Sequence, residues 1–317
     1  MAFFRGQAAP PPPGGARRAP GGLAGAVRAP PGGRGLRAPS AIGSGRSRGP
    51  GRLLPPPPGG LCNACGGARR RRRVPAAASP RPPRGAAEEG SVSVVLLAGG
   101  VGKRMGAAVP KQYLHLRGKP IALHSLAVFE ALPEVAEVVV VCDPAYRDLF
   151  EAAAATPLKF AEPGAERQDS VSNGLARISA ASALVAVHDS ARPLVTGGEV
   201  RACIGDALEH GAAVLGVPVK PTIKEADGAG FVAKTLQRSL LWEVQTPQII
   251  RPALLRAGFE LVAAEGLEVT DDVSVVEALG EPVKITLGRY TNIKVTTPDD
   301  MSVAEGFLAE REAAVAA

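Results

Sequence analysis

From residue 91 onward, short unbroken apolar runs alternate with segments whose apolar positions recur every three to four residues, the mark of strands alternating with helices. Ser91–Ala98 is apolar and β-branched and is followed by glycines, which predicts a strand ending in a turn. Ile121–Leu132 places Leu123, Leu126, Ala127 and Leu132 on nearby faces of a helix. The same reading predicts strands at Glu137–Cys142, Leu158–Ala161, Ala183–Val187 and Ala212–Val217, and helices at Pro144–Ala155, Glu166–Ala180 and Gly197–His210. Three more helices follow at Pro252–Glu265, Thr270–Leu279 and Pro298–Ala313. The first and last of these open on proline, whose missing N–H costs least there. The pattern predicts an α/β fold, a Rossmann-like and mostly parallel sheet flanked by helices. In such sheets ligands bind beyond the carboxyl ends of the strands, so the loops after Ala98, Ala161 and Val187 become the candidates for chemistry.

One stretch breaks the alternation. In Lys220–Arg238 two short extended runs flank a glycine-rich turn, which predicts a hairpin. It projects from the core with few apolar residues to bury on its own, so a partner subunit would stabilise it as an arm. No apolar run approaches the roughly 18–20 residues of a membrane span, and no membrane is expected as a partner.

Composition divides the chain at about residue 87. Residues 1–87 hold 16 arginines and no Lys, Asp or Glu, leaving 21 of the 37 bases against all 30 acids in the remaining 230 residues. The formal charge of +7 thus combines a +16 leader with a −9 body. Pro and Gly supply 35 of the first 87 residues, so the leader cannot bury enough surface to order itself. An acid-free leader rich in Arg, Ala, Pro, Gly and Ser predicts a disordered transit peptide over 1–87, by composition that of a chloroplast, with the mature protein starting near residues 75–90. The competing reading, nucleic-acid binding by Arg69–Arg73 beside a nucleotide-sensing domain, is opposed by the acidic body. Residues 88–317 are then long enough for one large domain with a substantial core. Cys142 and Cys203 read as buried thiols, and Cys62 and Cys65 as a passive pair without the further ligands that zinc requires.

The loop Leu97–Lys111 follows the first strand and fits neither familiar phosphate motif. A P-loop would need glycine at Leu97 and Ser or Thr at Arg104, and a dinucleotide fingerprint would need its third glycine one residue before Gly106. The loop still has a physical logic: glycines let backbone N–H groups approach phosphate oxygens, and Arg104 and Lys111 add positive charge. Transfer at phosphorus is mostly positioning plus electrostatics, so these are the groups it needs.

At this point the residues carry a resemblance. Ala98-Gly-Gly-Val-Gly-Lys-Arg-Met with Pro110-Lys-Gln-Tyr113 resembles the signature loop of the sugar-nucleotide pyrophosphorylase type of nucleotidyltransferase. Five later motifs narrow it: Glu166-Arg-Gln-Asp-Ser-Val171, His188-Asp-Ser-Ala-Arg-Pro193, Trp242-Glu-Val-Gln-Thr-Pro-Gln248, Thr270-Asp-Asp272 and Asn292-Ile-Lys-Val-Thr-Thr-Pro-Asp-Asp300. Together they resemble the 2-C-methyl-D-erythritol 4-phosphate cytidylyltransferases over roughly residues 91–312.

The resemblance implies joining of CTP to methylerythritol phosphate in the non-mevalonate isoprenoid pathway, with release of pyrophosphate and use of a divalent cation, Mg²⁺. Residue by residue, it implies that Arg104 and Lys111 stabilise the transition state and that Ala98, Gly99, Gly100 and Gly102 cradle the nucleotide. Gly164 and Ser170 lie near the cytosine. Asp189 and Arg192 contact substrate and ribose, and Lys294 positions the attacking phosphate. It makes the arm a clasp in a homodimer, with Arg238 and Thr222 reaching the partner's site. Pro221 and Gln237 stand where bacterial members often have Asp, and Ala165 where many have a polar residue. A close alternative keeps the chemistry and takes ribitol 5-phosphate as acceptor. Without the resemblance, Arg238 reads as a solvated arm residue, and Asp189 as a group that caps the turn after its strand. His188 reads as structural, Trp242 as packing, and Asp271 and Asp272 as an acidic pair at a helix N-terminus.

Overall fold

A computed structural model describes residues 87–100 and 109–316. The leader up to residue 86, Cys62, Cys65, the Arg69–Arg73 run, Gly102 and Arg104 lie outside the described residues.

The chain runs β1 (Val92–Leu97), β2 (His115–Leu116), β3 (Lys119–Pro120), α1 (Ile121–Glu130), β4 (Val135–Val141), α2 (Arg147–Glu151), β5 (Lys159–Ala161), α3 (Arg167–Leu175) and β6 (Leu184–Asp189). It continues with α4 (Gly197–His210), β7 (Ala212–Pro218), β8 (Lys224–Ala226), β9 (Val232–Thr235), β10 (Trp242–Ile250), α5 (Pro252–Glu265), α6 (Ser274–Ala278), β11 (Lys284–Leu287) and α7 (Pro298–Ala316). Seven strands form one sheet in the order β11-β7-β10-β6-β1-β4-β5. All its pairings are parallel except those of β10, which runs antiparallel to both β6 and β7.

Alternation along the strands explains why both faces are covered. Val92, Val94 and Leu96 of β1 join Val138 and Val140 of β4 in a core that also holds Leu126 and Phe129 of α1 and Val200 and Ile204 of α4. Val95, Val139, Val141, Val185 and Val187 point the other way, into a core shared with α3, α5 and α6. Such strands read as continuous apolar runs because neither face meets water. A third cluster, Leu116, Ile121, Leu194, Val295 and Ala304, seats α7 near β2. No described helix is long and apolar enough to cross a membrane.

The helix α4 keeps its predicted bounds because both ends are sealed. Thr196 and Glu199 form a reciprocal capping box, and Gly211 takes φ of 92° to close the last turn. The predicted helix at Thr270–Leu279 shortens to α6, because the Gln248 side-chain oxygen accepts from the N–H groups of Asp272 and Val273 at 2.8 and 3.0 Å. The pattern predicts no strand at β10 or β11, yet β10 is the longest in the sheet. Its ladder to β7 breaks between Val244 and Gln248, around Pro247, a residue that ordinarily argues against a central strand. The predicted hairpin is present as β8 and β9, paired antiparallel and exposed throughout. Its turn is held by the Asp227 carboxylate, which accepts from the N–H groups of Ala229 and Phe231.

Candidate active site

The chain fills the β4–β5 side of β1 first and then crosses to β6, so the switch point of the sheet lies between β1 and β6. The last residues of these two strands, Leu97 and Asp189, are register partners. A cavity of about 420 Å³ opens there, at the carboxyl ends of the strands. Its walls come from all three loops singled out above: Leu97, Gly99 and Gly100 after β1, Pro163–Arg167 after β5, and Asp189–Ala191 at the end of β6. Lys111 and Gln112 close one side, and Lys294 and Thr296 another.

Each wall has a local reason for its shape. A Cβ on Gly99 would sit 2.5 Å from the Pro163 ring, so only glycine lets the loop after β1 pass the loop after β5. A Cβ on Gly164 would sit 2.1 Å from Asp169 Cβ, which lets the loop turn tightly into α3. That turn is tied by the Gly164 N–H donating to Ser170 Oγ at 2.9 Å and by Ser170 Oγ donating to the Glu166 carbonyl at 3.2 Å. The Glu166 N–H donates to the Asp169 carboxylate at 2.9 Å, closing the N-terminus of α3.

Charge converges on Asp189. Lys294 Nζ donates to Asp189 Oδ2 at 2.6 Å and Arg167 Nε to Oδ1 at 3.3 Å. Burial would raise the Asp189 carboxyl, but Arg167 and Lys294 hold it well below the usual carboxylate range, so it stays ionised. Arg167 also makes a two-pronged bond to Asp272, at 2.8 Å for each prong. Burial opposes the guanidinium charge there, and the two carboxylates more than offset it, holding its pKa above the ordinary value. Lys111 Nζ donates to the Val295 carbonyl at 2.7 Å, which draws the 111–113 turn toward the loop that carries Lys294. Asp189 is anchored from below: its N–H donates to Thr246 Oγ1 at 3.1 Å, and Thr246 meets His188 Nδ1 at 3.0 Å.

The structure therefore gathers Gly99, Gly100, Lys111, Gly164, Ser170, Asp189 and Lys294 around one cavity, with Ala98 buried at its edge. Arg192 does not line that cavity. It is buried beneath, donating to the Asn292 and Val244 carbonyls at 2.8 and 3.4 Å. Thr222 and Arg238 are exposed at the base of the arm, where Arg238 Nη1 donates to the Lys220 carbonyl at 2.9 Å. Reasoning from sequence left several cavity residues without a role, among them Gln112, Arg167, Ser190 and Thr296. These four stand inside quoted motifs, which was the available signal. Asp272, read from sequence as one of an acidic pair at a helix N-terminus, is a buried partner of Arg167. A second cavity of about 560 Å³ lies on the other side of Arg167, toward Phe259, Leu267 and Val269.

Two ammonium groups and a glycine backbone around one cavity suit a polyphosphate. The acidic groups do not form a metal cage: among the described residues no cluster of three or more His, Cys, Asp or Glu occurs. Both Asp189 oxygens already accept from cations.

The family model described as IspD, 2-C-methyl-D-erythritol 4-phosphate cytidylyltransferase, matches residues 92–310. The chain is 65% identical over 229 residues to the chloroplastic 2-C-methyl-D-erythritol 4-phosphate cytidylyltransferase of Oryza sativa subsp. japonica, covering 71% of this chain and 77% of that one. It is 42% identical over 231 residues to the enzyme of the same name from Pelotomaculum thermopropionicum, covering 71% and 97%. Among solved structures it resembles the 2-C-methyl-D-erythritol 4-phosphate cytidylyltransferase of Thermus thermophilus, with a TM-score of 0.57 and 36% identity over 68% of this chain and 98% of that one.

Proposed function

The chain belongs to the 2-C-methyl-D-erythritol 4-phosphate cytidylyltransferase family, and we propose on that premise that it transfers a cytidylyl group from CTP to 2-C-methyl-D-erythritol 4-phosphate. The products are 4-diphosphocytidyl-2-C-methylerythritol and pyrophosphate, and the reaction serves non-mevalonate isoprenoid synthesis. The observation that carries this reading is the family match over residues 92–310, which spans every wall of the cavity between β1 and β6.

An oxygen of the acceptor phosphate forms a bond to the α-phosphorus of CTP. The bond from that phosphorus to the α–β bridging oxygen breaks, and pyrophosphate leaves with the electron pair. The acceptor phosphate is already ionised, so no base has to abstract a proton. Negative charge builds on the α-phosphate and the leaving group, and the protein's task is to meet it with fixed positive groups. Lys111 and Arg104 take that role, with the glycine backbone at residues 98–102 cradling the phosphates. Lys294 is held by Asp189 and directs the acceptor phosphate. Gly164 and Ser170 form the cytosine side, and Arg192 acts from beneath through the Asn292 and Val244 carbonyls it holds.

A divalent cation, Mg²⁺, fits this donor set as a passenger of the triphosphate. Magnesium takes most of its shell from waters and phosphate oxygens, so the ion would come with the triphosphate rather than be caged by the protein. When bound, the ion neutralises charge on the phosphates.

The arm completes the site in a homodimer. Its strands are exposed along their length, and Phe231 and Leu240 are 72% and 71% exposed, an apolar surface suited to a second subunit. Thr222 and Arg238 are then contributed to the partner's acceptor site. The acid-free leader and the chloroplastic relative support import into the plastid stroma. An intact Met1 on protein isolated from its native source would refute import.

The deciding experiment is a pyrophosphate-release assay with CTP, UTP and ATP against methylerythritol phosphate and ribitol 5-phosphate. The expected result is release with CTP and methylerythritol phosphate well above every other pair. Equal release with ribitol phosphate, or none with CTP, overturns the reading.

A further inference from the structure

Gln112 has no role in the reaction as described, yet it is a buried polar side chain in the cavity wall that faces the glycine loop. It is 3% exposed and sits in the single turn Lys111–Tyr113. Its amide nitrogen donates both hydrogens to the loop, one to the Ala98 carbonyl at 2.7 Å and one to the Gly100 carbonyl at 2.8 Å. The neighbouring Tyr113 hydroxyl donates to the same Ala98 carbonyl at 2.7 Å. The Tyr113 ring is stacked on Tyr146, with centroids 3.7 Å apart, and burial pushes its hydroxyl well above the ordinary range, so it stays a donor. On the other side, the Ala98 N–H donates to the Val141 carbonyl at 2.8 Å.

A trans peptide is planar, so a carbonyl and the N–H that follows it point in opposite directions. Engaging the Ala98 oxygen with two donors therefore fixes the direction of the Gly99 N–H. A carbonyl turned toward a phosphate would repel it, whereas an N–H attracts it. The turn that carries Gln112 also carries Lys111, so one side chain ties a cationic group to the backbone cradle.

We propose that Gln112 is a positioning residue for the triphosphate. It engages the carbonyls of Ala98 and Gly100, presents the amide side of the glycine loop to the phosphates and holds Lys111 in register with it. Glutamine is required because a glutamate of the same shape is acceptor-only when ionised and would face two carbonyl oxygens.

This inference rests on the CTP reading above, and the test separates the two. Binding of CTP and of cytidine is titrated for the full chain and for Gln112→Met, Gln112→Glu and Tyr113→Phe. Gln112→Met keeps the volume and removes both donors. It should weaken CTP about tenfold to a hundredfold, the worth of one hydrogen bond to a charged group, while cytidine changes by less than about twofold. Gln112→Glu should lose more at pH 8 than at pH 6. Burial and the two carbonyls raise that carboxyl's pKa, and it recovers a donor when protonated. Tyr113→Phe removes one of the three donors and keeps the ring stack, so it should show a smaller loss confined to CTP. It carries the test if Gln112→Met fails to fold. Native CTP affinity in Gln112→Met, or equal losses for CTP and cytidine, overturns the positioning role. A wild-type chain that does not prefer CTP to cytidine refutes the functional reading itself.

Discussion

Burial divides two adjacent titratable residues into opposite behaviours. Asp189 stays charged because two cations meet it, while His188, enclosed beside it, is held neutral with its pKa pushed down to about 3 by burial. The hydrogen bonds name its tautomer: the Arg192 carbonyl can only accept, so Nε2 carries the proton, and Nδ1 accepts from Thr246. Protonating Nδ1 would turn the Thr246 hydroxyl from donor to acceptor toward the ring and would place a charge where burial opposes it. Between pH 6.5 and about 3 the unfolded chain binds a proton at this residue and the folded chain does not. The His188 contribution is therefore complete above pH 6.5 and is lost as the pH falls, by up to about 1.4 kcal/mol per pH unit. Gln at 188 can still donate to the Arg192 carbonyl and does not titrate. Denaturant melts of both proteins from pH 7 to pH 4.5 should show His188→Gln less sensitive to acid than the wild type. Parallel stability curves would rule out the histidine as the source of that sensitivity.

The elements that carry the site are set by what their glycines allow. A Cβ on Gly174 would lie 2.5 Å from Val95 Cγ1 and 3.0 Å from Val141 Cγ2, so α3 sits on β1 and β4 through a missing side chain. Gly205 of α4 has nothing within 4 Å of the same position. Two substitutions that look alike in sequence should then have opposite signs. Gly174→Ala gains about 1 kcal/mol of helix propensity but overpacks a branched, rigid core, a cost of about 1–3 kcal/mol. It should lower Tm, and by moving α3 it should shift Arg167 and Ser170 and raise the KM for CTP. Gly205→Ala should raise Tm with unchanged kinetics. Equal shifts of Tm in the two variants would contradict this packing. The same local physics decided what sequence alone could reveal. The helix α4 was legible to the residue because its capping box and C-terminal glycine are local signals. The strand β10 was not. Trp242, Glu243 and Val244 are exposed on the arm side while Gln245 to Ile250 are buried, and Pro247 interrupts the ladder, so no single periodicity spans it. At the site, Lys111 was legible as a cation in a glycine-rich loop, whereas Asp189 and Lys294 entered only through the family resemblance. The role of Asp272 was not legible, because its partner Arg167 stands 105 positions away and only the fold joins them.

At the scale of the whole molecule the charge is arranged against its average. Residues 88–317 carry a net −9, yet the proposed site must hold two polyanions, so its cations have to be local. The described cavity supplies Lys111 and Lys294, and the remaining cation of the acceptor side, Arg238, stands outside that cavity at the base of its own arm. If arms exchange between subunits, each site of a dimer takes Lys111 from one chain and Arg238 from the other. Lys111→Ala and Arg238→Ala alone should each lose about 3–4 kcal/mol of transition-state stabilisation if each removes one preorganised donor. Mixed at equal amounts with free exchange, half of the dimers contain one chain of each kind, and one of their two sites has both residues intact. Turnover should then recover to about a quarter of the wild-type value, as expected for a symmetric dimer with shared sites. Arms acting within their own subunit would give no recovery, because neither chain would then hold both residues. Turnover measured beside a mass-resolved count of mixed dimers distinguishes the two arrangements.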